Sequence, residues 1–311
     1  MLRSSVAAVS DFEDQVGRPS LRVGVIGCGR VGASIGAALR GAGHQVVAVS
    51  AVSEASRERA ATMLPGVPVL DVPDVVRLAE LVLVTVPDDE IASVVSGLAQ
   101  VGVLDDPRVV VHLAGALGLE PLQPVVERGG VALALHPAMT FTGTAKDLDR
   151  LSGCLFAVTA TAETLVLGEA LVIDLGGEPV RVAEEDRVRY HAALAHGSNH
   201  LVTLIGQSMQ VLRECGFDDP ARVLRPLTEA SLDNALERGD RALTGPVARG
   251  DVRTVAAHLD ALRDEPADVA AAYRAMARAS AERAIVRRAL TPELVQPLLA
   301  VLDDSPTPPV E

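Results

Sequence analysis

Residues Arg22 to Gly36, RVGVIGCGRVGASIG, decide the fold of this chain. A β-branched run ends in the glycine turn GCGRVG at residues 27–32, and a segment with helical spacing follows at once. In such a strand–turn–helix, the first glycine permits the turn, the second admits a pyrophosphate to the backbone, and the third lets helix and strand pack closely. The helix N-terminus offers unpaired N–H groups to phosphates. The stretch predicts a dinucleotide-binding turn; the alternative is a turn without a ligand.

Composition limits the classes of fold and partner. The chain has 311 residues, 49% of them hydrophobic and only 2% aromatic, so two domains with cores of Val, Leu and Ala are expected. Its net charge of −13, with no basic patch, argues against a nucleic-acid partner and favours a small-molecule substrate. Cys28, Cys154 and Cys215 are widely spaced, which is typical of reduced cysteines in a cytoplasmic protein.

Neither end of the chain has the pattern of a targeting or membrane segment. Residues 1–20 contain acidic groups and lack an apolar core of signal-peptide length. No run approaches the ~18 apolar residues of a membrane span. We therefore expect a cytoplasmic protein without a membrane partner, with flexible segments at residues 1–20 and 303–311.

Further apolar runs predict a parallel sheet. They lie at residues 45–50, 81–86, 109–112, 131–135, 154–159 and 178–182, with a helix at 163–175. Continuous apolar strands are typical of sheets covered on both faces. From Glu184 the pattern becomes helical. The predicted fold is α/β: a doubly wound Rossmann domain at residues 21–183, followed by an all-α domain at 184–302.

The end of the second predicted strand favours NADP(H) over NAD(H). Proteins that prefer NAD carry an acidic residue there to bind the ribose hydroxyls, whereas this chain has Ser50, followed by Ser53 and Arg57. Hydroxyl and guanidinium groups suit a 2′-phosphate. Arg30 in the glycine turn is a further candidate, and an exposed helix face is the alternative for Arg57 and Arg59. The predicted cofactor contacts are Gly27, Gly29, Arg30, Val31, Gly32, Ser50, Ser53, Arg57, Val86, Pro87 and His112.

Several polar residues follow predicted strands. Val86-Pro87, His112 and His136 lie at carboxyl ends, where ligands bind in open parallel sheets. His136 and Thr140 are predicted to contact the substrate. A structural role at a strand end is the alternative for either histidine.

The predicted long helix at residues 185–215 carries a polar stripe. At ~100° per residue, one face combines His191, Ala195, Ser198 and Asn199. Mid-helix Ser and Asn compete with backbone hydrogen bonds, so the stripe is a candidate site, with polar packing as the alternative. His196 and His200 have the i, i+4 spacing of metal ligands but no third ligand beside them, and no metal is predicted.

A glycine-proline turn at residues 243–251 brings Arg249 and Asp251 together. Both are predicted to bind substrate, with Arg249 holding a carboxylate. Capping of the next helix is the alternative for Asp251.

Together these motifs resemble a bacterial two-domain family that pairs a Rossmann-like domain with a helical domain of unknown function. The resemblance runs from Leu21 to about Leu302, and it is carried by the glycine turn, Val86-Pro87-Asp88-Asp89, His112 to Gly115, His136 to Phe141, Tyr190 to Asn199, and Leu243 to Asp251. That family is allied to ketopantoate reductases, pyrroline-carboxylate reductases and prephenate dehydrogenases. The resemblance implies an NADP-dependent oxidoreductase acting on a small carboxylate-bearing carbonyl substrate, and a homodimer formed through the helical domain.

Ketopantoate reductases carry a Lys-x3-Asn-x3-Asn pattern on the first long helix of their second domain. Its positions fall on His191, Ala195 and Asn199, so one of three residues is identical. Histidine is also a competent general acid. The predicted catalytic residues are therefore His191, Asn199 and Ser198. The alternatives are a non-catalytic NADP(H)-binding protein, and an enzyme like prephenate dehydrogenase, which shares the His-Pro motif and the helix serine, or like pyrroline-carboxylate reductase.

Overall fold

A computed structural model describes residues 20–303. The flexible segments predicted at residues 1–20 and 303–311 fall almost wholly outside the described residues. Contacts divide the chain into two compact units, which meet between Ala195 and His196. This division lies inside the long helix, whereas the sequence pattern changes at Glu184.

The first unit is built on one seven-stranded sheet with the order β2-β1-β3-β4-β5-β6-β7. Its strands are β1 (Arg22–Ile26), β2 (Gln45–Ser50), β3 (Leu81–Val84), β4 (Val109–His112), β5 (Val131–Pro137), β6 (Leu155–Thr159) and β7 (Glu178–Arg181). The first five strands are parallel, β6 is antiparallel to β5, and β7 is parallel to β6. The predicted α/β class with a mostly parallel sheet is confirmed; the reversal at β6 was not predicted.

Helices cover both faces of this sheet. They are α1 (Arg30–Gly41), α2 (Glu54–Met63), α3 (Val72–Leu78), α4 (Ile91–Gln100), α5 (Gln123–Val126), α6 (Lys146–Leu151) and α7 (Leu165–Asp174). Residues of α1, α2, α6 and α7 form the core on one face, and residues of α3, α4 and α5 form the core on the other. Both faces of the central strands are therefore buried, which explains their continuous apolar sequences.

The order of strands locates a crevice. The chain winds outward in opposite directions from β1 and β3, so their carboxyl ends flank a topological switch point. β4 and β5 end at the same edge. β3 stops at Val84, earlier than predicted, and the hydroxyl of the next residue, Thr85, donates to the carbonyl oxygens of Ile26 and Gly27.

The second unit is helical. The helix α8 (Arg187–Glu214) crosses from the first unit, and α9 (Pro220–Arg238), α10 (Gly245–Arg249), α11 (Val252–Ala261), α12 (Ala267–Val286) and α13 (Pro292–Asp303) follow. Its core is small and lies among α11, α12 and α13. Among residues 20–303, no helix combines the length and the apolarity needed to cross a membrane.

Strand β6 allows a matched test of the packing in the first unit. Phe156 is fully buried, while its neighbour Leu155 is 49% exposed. We expect Phe156→Ala to lower the free energy of unfolding by about 3–5 kcal/mol, because it leaves a cavity in the core. Leu155→Ala should change it by roughly 0.5 kcal/mol at most. Urea unfolding followed by circular dichroism measures both; equal losses would contradict the described packing.

Candidate active site

The glycine turn is fixed by its neighbours. Gly27 has a φ of +87°, which glycine adopts without strain. Its N–H donates to the Ser50 hydroxyl at 2.9 Å, and the Cys28 N–H donates to the Ser50 carbonyl at 2.8 Å. A side chain at Gly32 would overlap the Thr85 hydroxyl and the Gly27 carbonyl. Ser50, predicted to face a ribose, thus holds the turn.

The turn also has the form that a pyrophosphate requires. The space beside the Cα atom of Gly29 is open, since a Cβ atom there would have no neighbour within 4 Å. Helix α1 starts at Arg30, and the first N–H groups of a helix have no partner within it. These donors and the helix dipole favour an anion in front of Gly29. Burial raises the pKa of Cys28 to about 11, so its thiol is protonated at neutral pH and is not a nucleophile here.

The residues after β2 have different surroundings. The Ser53 hydroxyl caps α2 by accepting the Ser56 N–H at 3.1 Å. Arg57 is exposed, and its Nε atom donates to the Ala51 carbonyl at 3.3 Å. Arg59 is half-buried on the same helix.

His112 closes the end of β4 without reaching solvent. Its ring is fully buried: Nε2 donates to the Gly118 carbonyl at 2.7 Å, and Nδ1 accepts the Ala114 N–H at 3.2 Å. Burial lowers its pKa to about 4. The ring is therefore neutral, and its hydrogen bonds hold the loop at residues 114–119. This is the structural role that was the alternative to a cofactor contact. Val86 and Pro87 lie at the neighbouring edge, half-buried and exposed respectively.

The central feature of the site is a cluster of three rings, His136, Tyr190 and His191. His136 lies at the end of β5, and the other two begin α8. The Nδ1 atom of His136 and the Tyr190 hydroxyl are hydrogen-bonded at 2.9 Å. The rings of His136 and His191 meet edge to face, with centroids 5.7 Å apart. The structure therefore brings together two residues predicted separately, and adds Tyr190, which sequence reasoning did not select.

Gly115 forms the wall beside this cluster. A Cβ atom at Gly115 would lie 2.9 Å from the Nε2 atom of His136 and would overlap the ring of His191. Only a glycine lets the loop approach both rings this closely. The sequence motif His112-Leu113-Ala114-Gly115 includes this glycine, but the sequence did not show which side chains it contacts.

The charge state of His136 follows from its surroundings. Burial, and then the positive charges of Arg187 and His191, lower the pKa of His136 to about 4. The ring is neutral at pH 7. In contrast, partial burial raises the pKa of Asp88, and an electrostatic interaction with His191 opposes this shift, which places Asp88 near the same cluster.

Arg187 fixes the loop beside the ring cluster through hydrogen bonds to backbone carbonyl groups. Its side chain is fully buried and donates to the carbonyl oxygens of Leu117 at 2.8 Å, Ala114 at 3.1 Å and Ala157 at 3.4 Å. Both carboxylate oxygens of Glu184 accept the Leu119 N–H, at 2.8 and 3.0 Å. The loop at residues 114–119 is thus fixed along its length. Sequence reasoning missed Arg187 because an arginine that starts a helix is ordinarily solvated.

The remaining predicted site residues have few contacts. Thr140 is exposed after β5. Within the second unit Ser198 is half-buried, while Asn199 and Arg249 are exposed. Asp251 caps α11, accepting the Thr254 N–H at 3.1 Å and the Thr254 hydroxyl at 2.7 Å, and these hydrogen bonds lower its pKa. Asp251 therefore has the helix-capping role that was the alternative to substrate binding.

His196 and His200 have the spacing of metal ligands, although no metal was predicted there. Their Nδ1 atoms are 2.9 Å apart on the exposed side of α8. Within residues 20–303, no group of three or more His, Cys, Asp or Glu side chains is arranged to hold a metal ion.

Three solved structures illustrate the fold. A protein of Bacteroides fragilis assigned as an NADP oxidoreductase is 22% identical, with a TM-score of 0.71 over 85% of this chain and 98% of its own. An imine reductase of Myxococcus stipitatus in complex with NADP+ is 18% identical, with a TM-score of 0.61 over 87% and 100%. A Plasmodium falciparum pyrroline carboxylate reductase with NADP bound is 12% identical, with a TM-score of 0.57 over 86% and 100%. At these identities the likeness establishes a shared fold.

Family models cover most of the sequence. Residues 8–137 match a Rossmann-like domain, and residues 154–280 match a domain of unknown function, DUF2520. No curated protein matches the chain. The two matches lie in the order that the sequence motifs indicated. The chain therefore joins a Rossmann-like domain to a DUF2520 domain.

Proposed function

We propose that this protein is an NADP-dependent reductase of a small carbonyl or imine compound. The observation that carries the proposal is the cluster of His136, Tyr190 and His191 at the strand edge that also holds the glycine turn. This edge combines a phosphate cradle with groups that carry protons. Two structures with the same fold contain NADP, which supports the choice of cofactor.

The cofactor NADPH, when bound, supplies a hydride to the electrophilic carbon of the substrate. His191 donates the proton that the developing anion requires: both histidines are half-buried, but the ring of His136 is already hydrogen-bonded to Tyr190. His136 is neutral and hydrogen-bonded to Tyr190, so it orients the cluster rather than acting as the acid. Gly115 leaves room for both rings.

The substrate is proposed to carry a carboxylate. Arg249 is an exposed cation suited to bidentate binding, and Ser198 and Asn199 offer hydrogen-bond donors. Two chemistries fit this set. A 2-keto acid such as ketopantoate is favoured by Asn199, the one identity to the ketopantoate reductase pattern, while a cyclic imine acid is favoured by the shared fold with pyrroline carboxylate reductase.

A second candidate function is a non-catalytic protein that binds NADP(H) and reports its redox state to a partner. The replacement of two of three residues of the ketopantoate reductase pattern favours it. A prephenate dehydrogenase-like reaction is a further alternative, based on the His-Pro motif at residues 136–137.

The first test is a screen of NADPH oxidation with 2-keto acids, 2-keto lactones and cyclic imines, followed by His191→Ala. We expect this variant to lose about 10²- to 10⁴-fold in turnover, the usual contribution of a general acid, while its affinity for NADPH is retained. Arg189→Ala, on the same helix with a side chain 89% exposed, is the control and should react normally. Unchanged turnover in His191→Ala would assign the proton to another group. Binding of NADPH with no turnover of any compound would favour the non-catalytic function.

The second test concerns the protonation of His136. Its pKa of about 4 lies below the ordinary value of 6.5, so the folded protein should keep the ring neutral from pH 8 to pH 5. Unfolded chains bind this proton near pH 6.5, so the stabilisation is complete above that pH and is lost as the pH falls towards 4. NMR titration of the imidazole Cε1 protons measures it, with His136→Gln assigning the signal. A midpoint near 6.5 would contradict the described burial.

The third test concerns the proposed homodimer. Within the described chain, α9 buries only Pro220, and its apolar side chains Leu227, Leu232 and Leu236 are 62%, 50% and 78% exposed. A groove of about 410 Å³ also runs between α8 and α12. Such faces are typical of protein interfaces. We expect light scattering to give twice the chain mass, and Leu227→Glu with Leu236→Glu to give a monomer. Val166→Glu, at a site 73% exposed on the first unit, should remain dimeric. A monomeric parent protein would refute the dimer.

A further inference from the structure

Two arginines beside the glycine turn lack partners within the described chain. Among residues 20–303, the side chains of Arg30 and Arg59 form no hydrogen bond or ion pair, although the whole chain has a net charge of −13. Arg59 is half-buried, so its position is set by its surroundings. Its positive charge lowers the pKa of the Cys28 thiol in the turn, against the larger effect of burial. Arg59 therefore extends from α2 back towards the turn.

Gly143 shows that the two arginines converge. A Cβ atom on Gly143 would lie 2.9 Å from the Cδ atom of Arg59 and 3.1 Å from the Cγ atom of Arg30. The aliphatic parts of both side chains thus pack against Gly143. The φ of +76° at this residue also favours glycine. Because the stems of Arg30 and Arg59 meet at one point, both guanidinium groups can reach an anion bound beside it.

The loop beneath them is rigid because Asp147 anchors it. This carboxylate is fully buried and accepts four groups: the Ser34 hydroxyl at 2.9 Å, the Thr142 N–H at 3.0 Å, the Gly143 N–H at 2.7 Å and the Thr142 hydroxyl at 2.7 Å. Burial opposes its ionisation, but these hydrogen bonds lower the pKa of Asp147 overall. Because Ser34 belongs to α1, the loop is tied to the helix that begins at the glycine turn.

Arg57 differs from Arg59 in three respects. It is exposed, and its Nε atom is already bound by the Ala51 carbonyl. It has no described contact with the loop at residues 142–144.

We propose that Arg59, together with Arg30, binds the 2′-phosphate of NADP(H) above Gly143, and that Arg57, the contact expected from the sequence, is not required. The inference rests on the proposed NADP(H) binding and names the residues that select this cofactor. A phosphate dianion beside two guanidinium groups forms charge-assisted hydrogen bonds, and the rigid loop keeps both side chains in place.

The test compares Arg59→Ala with Arg57→Ala. The two arginines are two positions apart on α2, where Arg59 is half-buried and Arg57 is exposed. Dissociation constants for NADPH and NADH are measured by nucleotide fluorescence, and those for 2′,5′-ADP and 5′-AMP by calorimetry. For Arg59→Ala we expect NADPH and 2′,5′-ADP to bind at least tenfold more weakly, with NADH and 5′-AMP within twofold of the parent protein. Arg57→Ala should bind all four ligands within twofold, and Arg30→Ala should resemble Arg59→Ala.

Either of two results would overturn this site. One is Arg59→Ala binding NADPH as the parent protein does, and the other is an equal loss in Arg57→Ala. Both leave the proposed function standing, because the parent protein still binds NADPH. Absence of NADPH binding to the parent protein would instead overturn the proposed function and this site together. Circular dichroism of each variant separates loss of the phosphate site from loss of fold.

Discussion

The close approach of α1 to the first strands is the constraint on which the rest of the first unit depends. Gly32 fits against the Thr85 hydroxyl and the Gly27 carbonyl only because it has no side chain. Thr85 in turn donates to the backbone of β1, and Ser50 of β2 accepts the N–H of the turn. Three neighbouring strands and one helix therefore meet at a single backbone junction. The geometry of this junction determines where an anion can bind and where the carboxyl ends of the neighbouring strands lie.

The sequence predicted the parts of the site that depend on local backbone structure. The glycine turn, the strand ends at His112 and His136, and the helix that carries His191 are local patterns, and each has a periodicity or a turn that identifies it. Arg187, Tyr190 and Asp147 could not be found in this way. Their roles depend on partners far along the chain, as with Arg187 and Leu117, or Asp147 and Ser34. The antiparallel β6 escaped prediction for a similar reason, since strand direction is not encoded in the apolar pattern.

Histidines of identical chemistry have different surroundings here. His112 is enclosed and fixes a loop, while His136 is neutral and binds Tyr190. His191 remains half-buried at the same edge. One edge of the sheet thus carries an imidazole that fixes a loop, an imidazole hydrogen-bonded to Tyr190, and the imidazole of His191. Arg187 contributes to this separation, since its buried charge disfavours protonation of both His112 and His136.

The buried thiol of Cys28 has a consequence for resistance to oxidation. Peroxides and electrophiles attack the thiolate form of cysteine, and a pKa of about 11 leaves very little thiolate at physiological pH. The side chain is also closed to solvent. A reactive cysteine in this turn would couple anion binding to oxidative damage, because a sulfenic acid there would alter the backbone around Gly27 and Gly29. The enclosed and protonated thiol of Cys28 is therefore a poor target for oxidation, which protects the backbone turn around it.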